Sequence, residues 1–154
     1  MAGNPGFKRK VYAYITHRGR LLVFRHVHEP EAGLQVPGGT VEDGESFEAA
    51  VCREAFEETG LPGLELVRCL GEDVRDWSDV GILVVHTRKF FHLRCTQTSP
   101  ETWRHTEMDA SDGSGEHLFE FFWANLPDGV PELLTGHDIF INELLQGDEN
   151  AWRD

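Results

Sequence analysis

The chain has 154 residues, 40% hydrophobic and 27% charged, a size and composition that indicate a single globular domain, 1–154, with an ordinary buried core. Its 27 acidic and 14 basic residues leave a formal net charge of −13. That excludes non-specific nucleic-acid binding, which draws its affinity from Lys and Arg on phosphates. Any anionic ligand needs a local cation.

Ile82 to Val85 and the other purely apolar stretches are far short of the about 20 residues that span a bilayer. No membrane association is expected. Cys52, Cys69 and Cys95 form no C-x-x-C pair, and no apolar signal segment follows the N-terminus. The expectation is a cytoplasmic protein with reduced thiols. The oligomeric state is not legible.

Alternation from Lys8 to His17, with Val11, Ala13 and Ile15 on one side and Tyr12 and Tyr14 on the other, predicts a strand. His17-Arg18-Gly19-Arg20 reads as a hairpin turn into a second strand, Leu21 to His26. The Pro/Gly-punctuated stretch Glu29 to Gly44 is not helical. A helix is predicted over Ser46 to Thr59, with Ser46 as N-cap and Gly60 and Pro62 as the stop. Strands follow at Leu64 to Val74 and Val80 to Cys95. Thr96 to Gly115 is a polar excursion longer than an ordinary connection, hence functional or mobile. A strand at Leu118 to Ala124 and a terminal helix at Gly136 to Gln146 complete a mixed α/β order.

The chemistry concentrates in the helix. At roughly 100° per residue, Glu54, Glu57 and Glu58 share one side and continue a stripe that begins with Phe47, Ala50 and Val51. Two readings stay open on the residues alone. The helix buries the opposite side, Ala49, Cys52 and Phe56, and exposes a solvated acidic face. Alternatively, the three carboxylates hold a cation that relieves their repulsion, with Arg53 as the helix's one basic residue. Oxygen donors without His or Cys at zinc spacing select Mg²⁺, Mn²⁺ or Ca²⁺. Glu45 is spaced to reach Arg53 with a bidentate contact, and Pro37-Gly38-Gly39 permits close backbone approach to the helix.

The run Gly39 to Leu61 carries the pattern G-x5-E-x7-R-E-U-x-E-E-x-G-U, where U is a bulky aliphatic, with Glu45, Arg53, Glu54, Glu57, Glu58 and Gly60 in place and Ala55 as a small residue where a larger aliphatic is usual. This resembles the Nudix box. The resemblance implies an α/β/α sandwich around a mixed sheet. It also implies an Mg²⁺- or Mn²⁺-dependent pyrophosphohydrolase acting on a nucleoside diphosphate linked to another group, such as a nucleotide, a dinucleoside polyphosphate or a nucleotide sugar. It implies Glu54, Glu57, Glu58 and the Gly38 carbonyl as metal ligands, and Arg53 as an orienting residue held by Glu45. The contrasting class is a non-hydrolytic protein on the same fold, a diphosphate isomerase or a nucleotide-sensing module.

The family often recruits a further acid from outside the box. Glu107, Asp109, Asp112, Glu116 and Glu120 lie in or after the polar excursion. Glu116, at the loop–strand junction, is the first choice and Glu120 the second. Trp103, Arg104 and His105 either approach a ligand or plug the loop onto the domain, the latter being the simpler reading. His26 and His28 are read as surface residues, and Arg25, Arg88 and Lys89 are candidate phosphate contacts.

Overall fold

The computed structural model describes residues 6–107 and 116–154. Seven strands form one mixed sheet: β1 (Gly6–His17), β2 (Arg20–His26), β3 (Gly38–Thr40), β4 (Leu64–Asp76), β5 (Val84–Cys95), β6 (Thr102–Glu107) and β7 (His117–Asn125). The order is β4-β5-β1-β2-β7-β6, with β3 added to β1. β1 and β5 run parallel and the other pairs antiparallel.

The β1–β2 hairpin turns on Arg18 and Gly19, both at positive φ, as a two-residue turn matched to strand twist requires. One side of β1 (Val11, Ala13, Ile15) packs with Phe91, Leu93 and Phe121 against Ala50, Val51 and Ala55 of helix α1 (Phe47–Thr59). On the other face Tyr14, Leu21, Val23 and Phe90 pack with Leu133, Leu144 and Trp152. Leu144 and Trp152 come from helices α2 (Ile141–Gln146) and α3 (Glu149–Arg153). Helices on both faces of a mixed sheet make the expected α/β/α sandwich. Among the described residues no helix is long and apolar enough to cross a membrane.

Three expectations are corrected. Residues 102–107 of the polar excursion form an edge strand in register with β7; its alternation is hidden in sequence because two of its three inward positions, His105 and Glu107, are polar. The strand expected from Val80 begins at Val84, because Trp77–Val80 forms a 3-10 turn with Asp76 accepting from Ser78 N and Gly81 at φ 82°. The terminal helix begins at Ile141, not Gly136. The Tyr14 hydroxyl donates to the His137 carbonyl (2.7 Å) and accepts from Phe140 N (3.2 Å). It thereby takes up backbone groups that a helix would pair internally.

β1 and β2 pair only beside their turn, at Thr16–Leu21 and His17–Arg20, and the glycine segment crosses the gap between them. Gln35 exchanges both backbone hydrogen bonds with Phe24 of β2 (2.9 Å each). Pro37 accepts from Ala13 N (2.8 Å), and β3 pairs with Lys10 to Tyr12 of β1. The cleft thus opens where two neighbouring strands splay.

Candidate active site

Helix α1 starts at Ser46, whose hydroxyl accepts from Ala49 N (3.0 Å), and stops at Gly60 in the left-handed conformation. Between these caps it buries the stripe that carries the acids. Ala50, Val51, Glu54, Ala55 and Glu58 are buried, while Ala49, Cys52 and Phe56 are exposed. The solvated-face alternative is thereby excluded for Glu54 and Glu58; Glu57 stands at the solvent edge. The small Ala55 is fully packed against the sheet.

Arg53 is the hub. Its Nε and a terminal nitrogen donate to the two oxygens of Glu45 (2.8 and 2.9 Å), and it also donates to the Thr40 carbonyl (3.1 Å), Glu54 (3.0 Å) and Glu57 (3.2 Å). The bidentate Glu45 contact holds that carboxyl well down, to about 2, with help from the Glu42 backbone N–H, and pushes the guanidinium pKa further up. Arg53 is therefore a permanent charge in a fixed pose between the loop and the acids.

Glu54 is 1% exposed, and burial pushes its pKa up to about 7 despite Arg53. Burial and the neighbouring Glu107 push the Glu58 carboxyl well up too, against the Gly38 N–H, which donates to it (2.6 Å). In an antiparallel ladder alternate residues turn both backbone polar groups away from the partner strand. Val41 N bonds to Arg9 O and Ala13 N to Pro37 O, so Gly38 and Thr40 are the residues turned outward. The Gly38 carbonyl consequently faces the helix side along with its N–H. A Cβ on Gly39 would lie 2.1 Å from the Glu54 carboxyl carbon, which is why this position needs glycine.

The donor set suits a hard divalent cation: all of it is oxygen. Among the described residues, Glu54 Oε2 is a buried carboxylate oxygen without a hydrogen-bond partner, the atom a cation would satisfy. The acids do not already converge into a ready-made cluster of three among the described residues; Glu54 and Glu57 turn to Arg53, and Glu58 to Gly38 and Glu107.

Glu58, Gly38 and Gly39 open onto a cavity of about 320 Å³ that also reaches Lys10, Glu107 and His137. The loop acid in the site is Glu107, at the end of β6, buried and hydrogen-bonded to Glu58. Glu116, the first choice from sequence, is exposed and lines no part of this cavity. Glu120 is ion-paired with Arg25 and Arg104 on the opposite side of β7 from the buried Phe119 and Phe121. Asp109 and Asp112 lie outside the described residues.

Other candidates have structural partners. Trp103 stacks on Phe121 (5.1 Å) and donates to the Thr59 carbonyl (2.9 Å), and the His105 ring meets the Glu57 carbonyl (2.8 Å). These contacts fasten β6 to α1 and so hold Glu107 against Glu58. Arg88 forms a bidentate pair with Asp73, and Lys89 faces Glu72. His28 is exposed, whereas His26 lines the cavity instead of lying on the surface. Lys10, with Nζ on Thr40 Oγ1 (2.8 Å), is a cavity residue the sequence reading missed. Its position on the Tyr12 side of β1, two residues from Tyr12, was the available signal.

A family model described as NUDIX domain matches residues 6–140. The MutT NUDIX hydrolase from Burkholderia pseudomallei is 26% identical with a TM-score of 0.59, over 90% of this chain and 98% of that one. The E. coli ORF135 protein is 20% identical with a TM-score of 0.61, over 92% and 90%. The bifunctional NMN adenylyltransferase/ADP ribose pyrophosphatase from Francisella tularensis, complexed with AMP and Mn ion, is 20% identical with a TM-score of 0.56, over 94% of this chain and 42% of that one. The last two share the fold. With Glu45, Arg53 and the acids of α1 in their places and the family model spanning most of its length, the chain belongs to the NUDIX domain family.

Proposed function

We propose that the protein is an Mg²⁺- or Mn²⁺-dependent pyrophosphohydrolase that cleaves a phosphoanhydride bond in a nucleoside diphosphate linked to another group. The observation that carries this reading is the buried, partnerless Oε2 of Glu54 beside Gly39 and Arg53. The Burkholderia neighbour is a NUDIX hydrolase, and the Francisella enzyme's AMP and Mn ion fit the same chemistry.

Glu54, Glu57, Glu58 and the Gly38 carbonyl would hold the cation. Bound there, it would neutralise the diphosphate and acidify the attacking water. Glu45 locks Arg53 in place, and Arg53 holds Glu54 and Glu57 in fixed orientation. Glu107, at the cavity and against Glu58, is the acid positioned to take the proton from water as the new phosphorus–oxygen bond forms and the bridging oxygen leaves. Lys10 adds a cation to the same wall.

Incubation of purified protein with Mg²⁺ or Mn²⁺ and a panel of nucleoside triphosphates, dinucleoside polyphosphates, nucleotide sugars and capped RNA ends, with products resolved by chromatography, tests the proposal. The expected result is a nucleoside monophosphate from at least one class. Nucleotide affinity with no turnover under any divalent cation would favour a non-hydrolytic protein instead.

A further inference from the structure

The cavity has one acidic end, at Glu58 and Glu107, and an aromatic wall that includes Phe24 and Phe119, whose rings lie 4.5 Å apart. Its third side is the segment between β7 and α2, which brings Leu134 and His137 over the opening. His137 is 7% exposed, and the residue is held from three directions, two of them on the ring. The Val36 backbone N–H donates to Nδ1 (3.2 Å), Tyr12 meets the ring edge-on (5.0 Å), and the Tyr14 hydroxyl holds the His137 carbonyl.

An Nδ1 that accepts carries no proton, so the neutral ring carries it on Nε2. Burial and the nearby Arg88 push the pKa of His137 down to about 4, so the ring is neutral at physiological pH. Nε2 has no hydrogen-bond partner among the described residues. It is not sealed either, since the fully buried partnerless side-chain atoms among those residues are Glu54 Oε2 and Trp152 Nε1. The ring lines the cavity, which gives this N–H open space to donate into. Lys10, His26 and Gln35 share the lining; of these Lys10 suits an anion, whereas the neutral His137 N–H, in a lining with Phe24, Phe119 and Leu134, suits a flat heterocycle with an acceptor on its edge. That N–H does not suit a phosphate, which recruits charged or clustered donors.

We propose that His137 is a specificity-determining residue whose Nε2–H donates to an acceptor on the nucleobase of the substrate, seated against the aromatic wall. This rests on the phosphoanhydride reading above. It adds which part of the substrate the cavity recognises and through which atom.

The test is calorimetric titration of wild type and His137→Phe, in Mg²⁺, with AMP, GMP, CMP and UMP, with ribose 5-phosphate as a baseless arm and methylenediphosphonate as a ringless one. The variant should bind at least one nucleoside monophosphate about threefold to tenfold more weakly, as loss of one hydrogen bond predicts. Ribose 5-phosphate and methylenediphosphonate should bind unchanged. Because His137→Phe also removes the acceptor of Val36 N–H, the wild type gives a second readout. In long-range ¹H–¹⁵N spectra the protonated Nε2 of His137 should shift with that same monophosphate and stay still with ribose 5-phosphate.

Unchanged affinity for all four monophosphates, an equal loss for the baseless arms, or an unmoved Nε2 signal at saturating nucleotide would overturn the role of His137. If the wild type still hydrolyses a nucleoside triphosphate, dinucleoside polyphosphate, nucleotide sugar or capped RNA end, the phosphoanhydride reading survives that failure. If it neither turns over nor binds any of them, both fall.

Discussion

Glu54→Gln is expected to change the pH dependence of metal-free stability by a calculable amount. In the folded chain the Glu54 pKa is about 7, against an ordinary 4.5. Between those values the native state holds a proton that the unfolded state has lost, so this group makes the fold less stable as pH rises through the window and has no further effect above it. Integrated from pH 5 to pH 7.5, the loss is about 2 kcal/mol. With an unfolding entropy of about 0.3 kcal/mol per kelvin for a chain of this length, that is about 7 °C in Tm.

The wild-type curve alone does not isolate this. His92 and His137, both held down to about 4 by burial, bind fewer protons when folded between pH 4 and 6.5 and contribute stability that rises across that range. Glu45, at about 2, loses its contribution only as pH falls from 4.5 toward 2. The difference between wild type and Glu54→Gln cancels these groups; Glu58, raised in part by the Glu54 charge, does not cancel and adds to the variant's gain. Melts in chelator at half-unit pH steps should show the variant gaining at least about 7 °C on wild type from pH 5 to 7.5. Parallel curves would refute the buried, raised carboxyl. Saturating Mg²⁺ should restore the wild type at pH 7.5, because cation binding to the ionised site alone stabilises by about 2.7 kcal/mol at a hundred times Kd.

Three further outcomes are expected. Glu57→Gln and Glu58→Gln should each lower turnover at saturating Mg²⁺ by about 10²-fold or more while retaining the fold by circular dichroism; near-normal turnover in either removes that residue from the ligand set. Glu107→Gln should lower kcat by about 10²-fold, whereas Glu116→Gln, at an exposed position, should stay within about twofold; the reverse order would restore the loop–strand junction as the source of the acid. Gly39→Ala should lose metal-dependent stabilisation in a thermal melt, because the added methyl would sit on the Glu54 carboxyl; a normal Mg²⁺ shift in Tm would show that the carboxyl can move without cost.

The site was legible where its spacing is local. Glu45, Arg53 and the three acids of α1 fall within a turn and a helix, so helical periodicity and the reach of an Arg–carboxylate pair suffice to group them. The same holds for the β1–β2 hairpin and for both caps of α1. What was not legible depends on strands meeting across long sequence separations. Glu107 enters the site because β6 pairs with β7 and because Trp103 and His105 fasten that edge to α1; in sequence it is one of five candidate acids in or after a polar stretch. His137 faces the cavity because Tyr14, 123 residues away, holds its carbonyl. That contact also delays α2, which neither capping residues nor periodicity near Gly136 could reveal.

Under the proposed function, the two raised carboxyls also bear on how an acidic chain would accommodate a diphosphate. Two buried glutamates on one stripe, with Glu57 at its solvent edge, are a poor structural choice, since burial disfavours ionised Glu54 and Glu58 and each also feels Glu107. The strain is contained, not removed: Arg53 supplies one charge, Gly38 one N–H, and the glycines the room for a close approach. Under the proposed function, a cation entering this arrangement would meet ligands whose ionisation the protein alone cannot fully support, and its binding would relieve a cost already present in the fold. Filling the stripe with neutral side chains would suit a purely structural helix better, and the pH-dependent gain expected of Glu54→Gln measures how much stability is given up for the site.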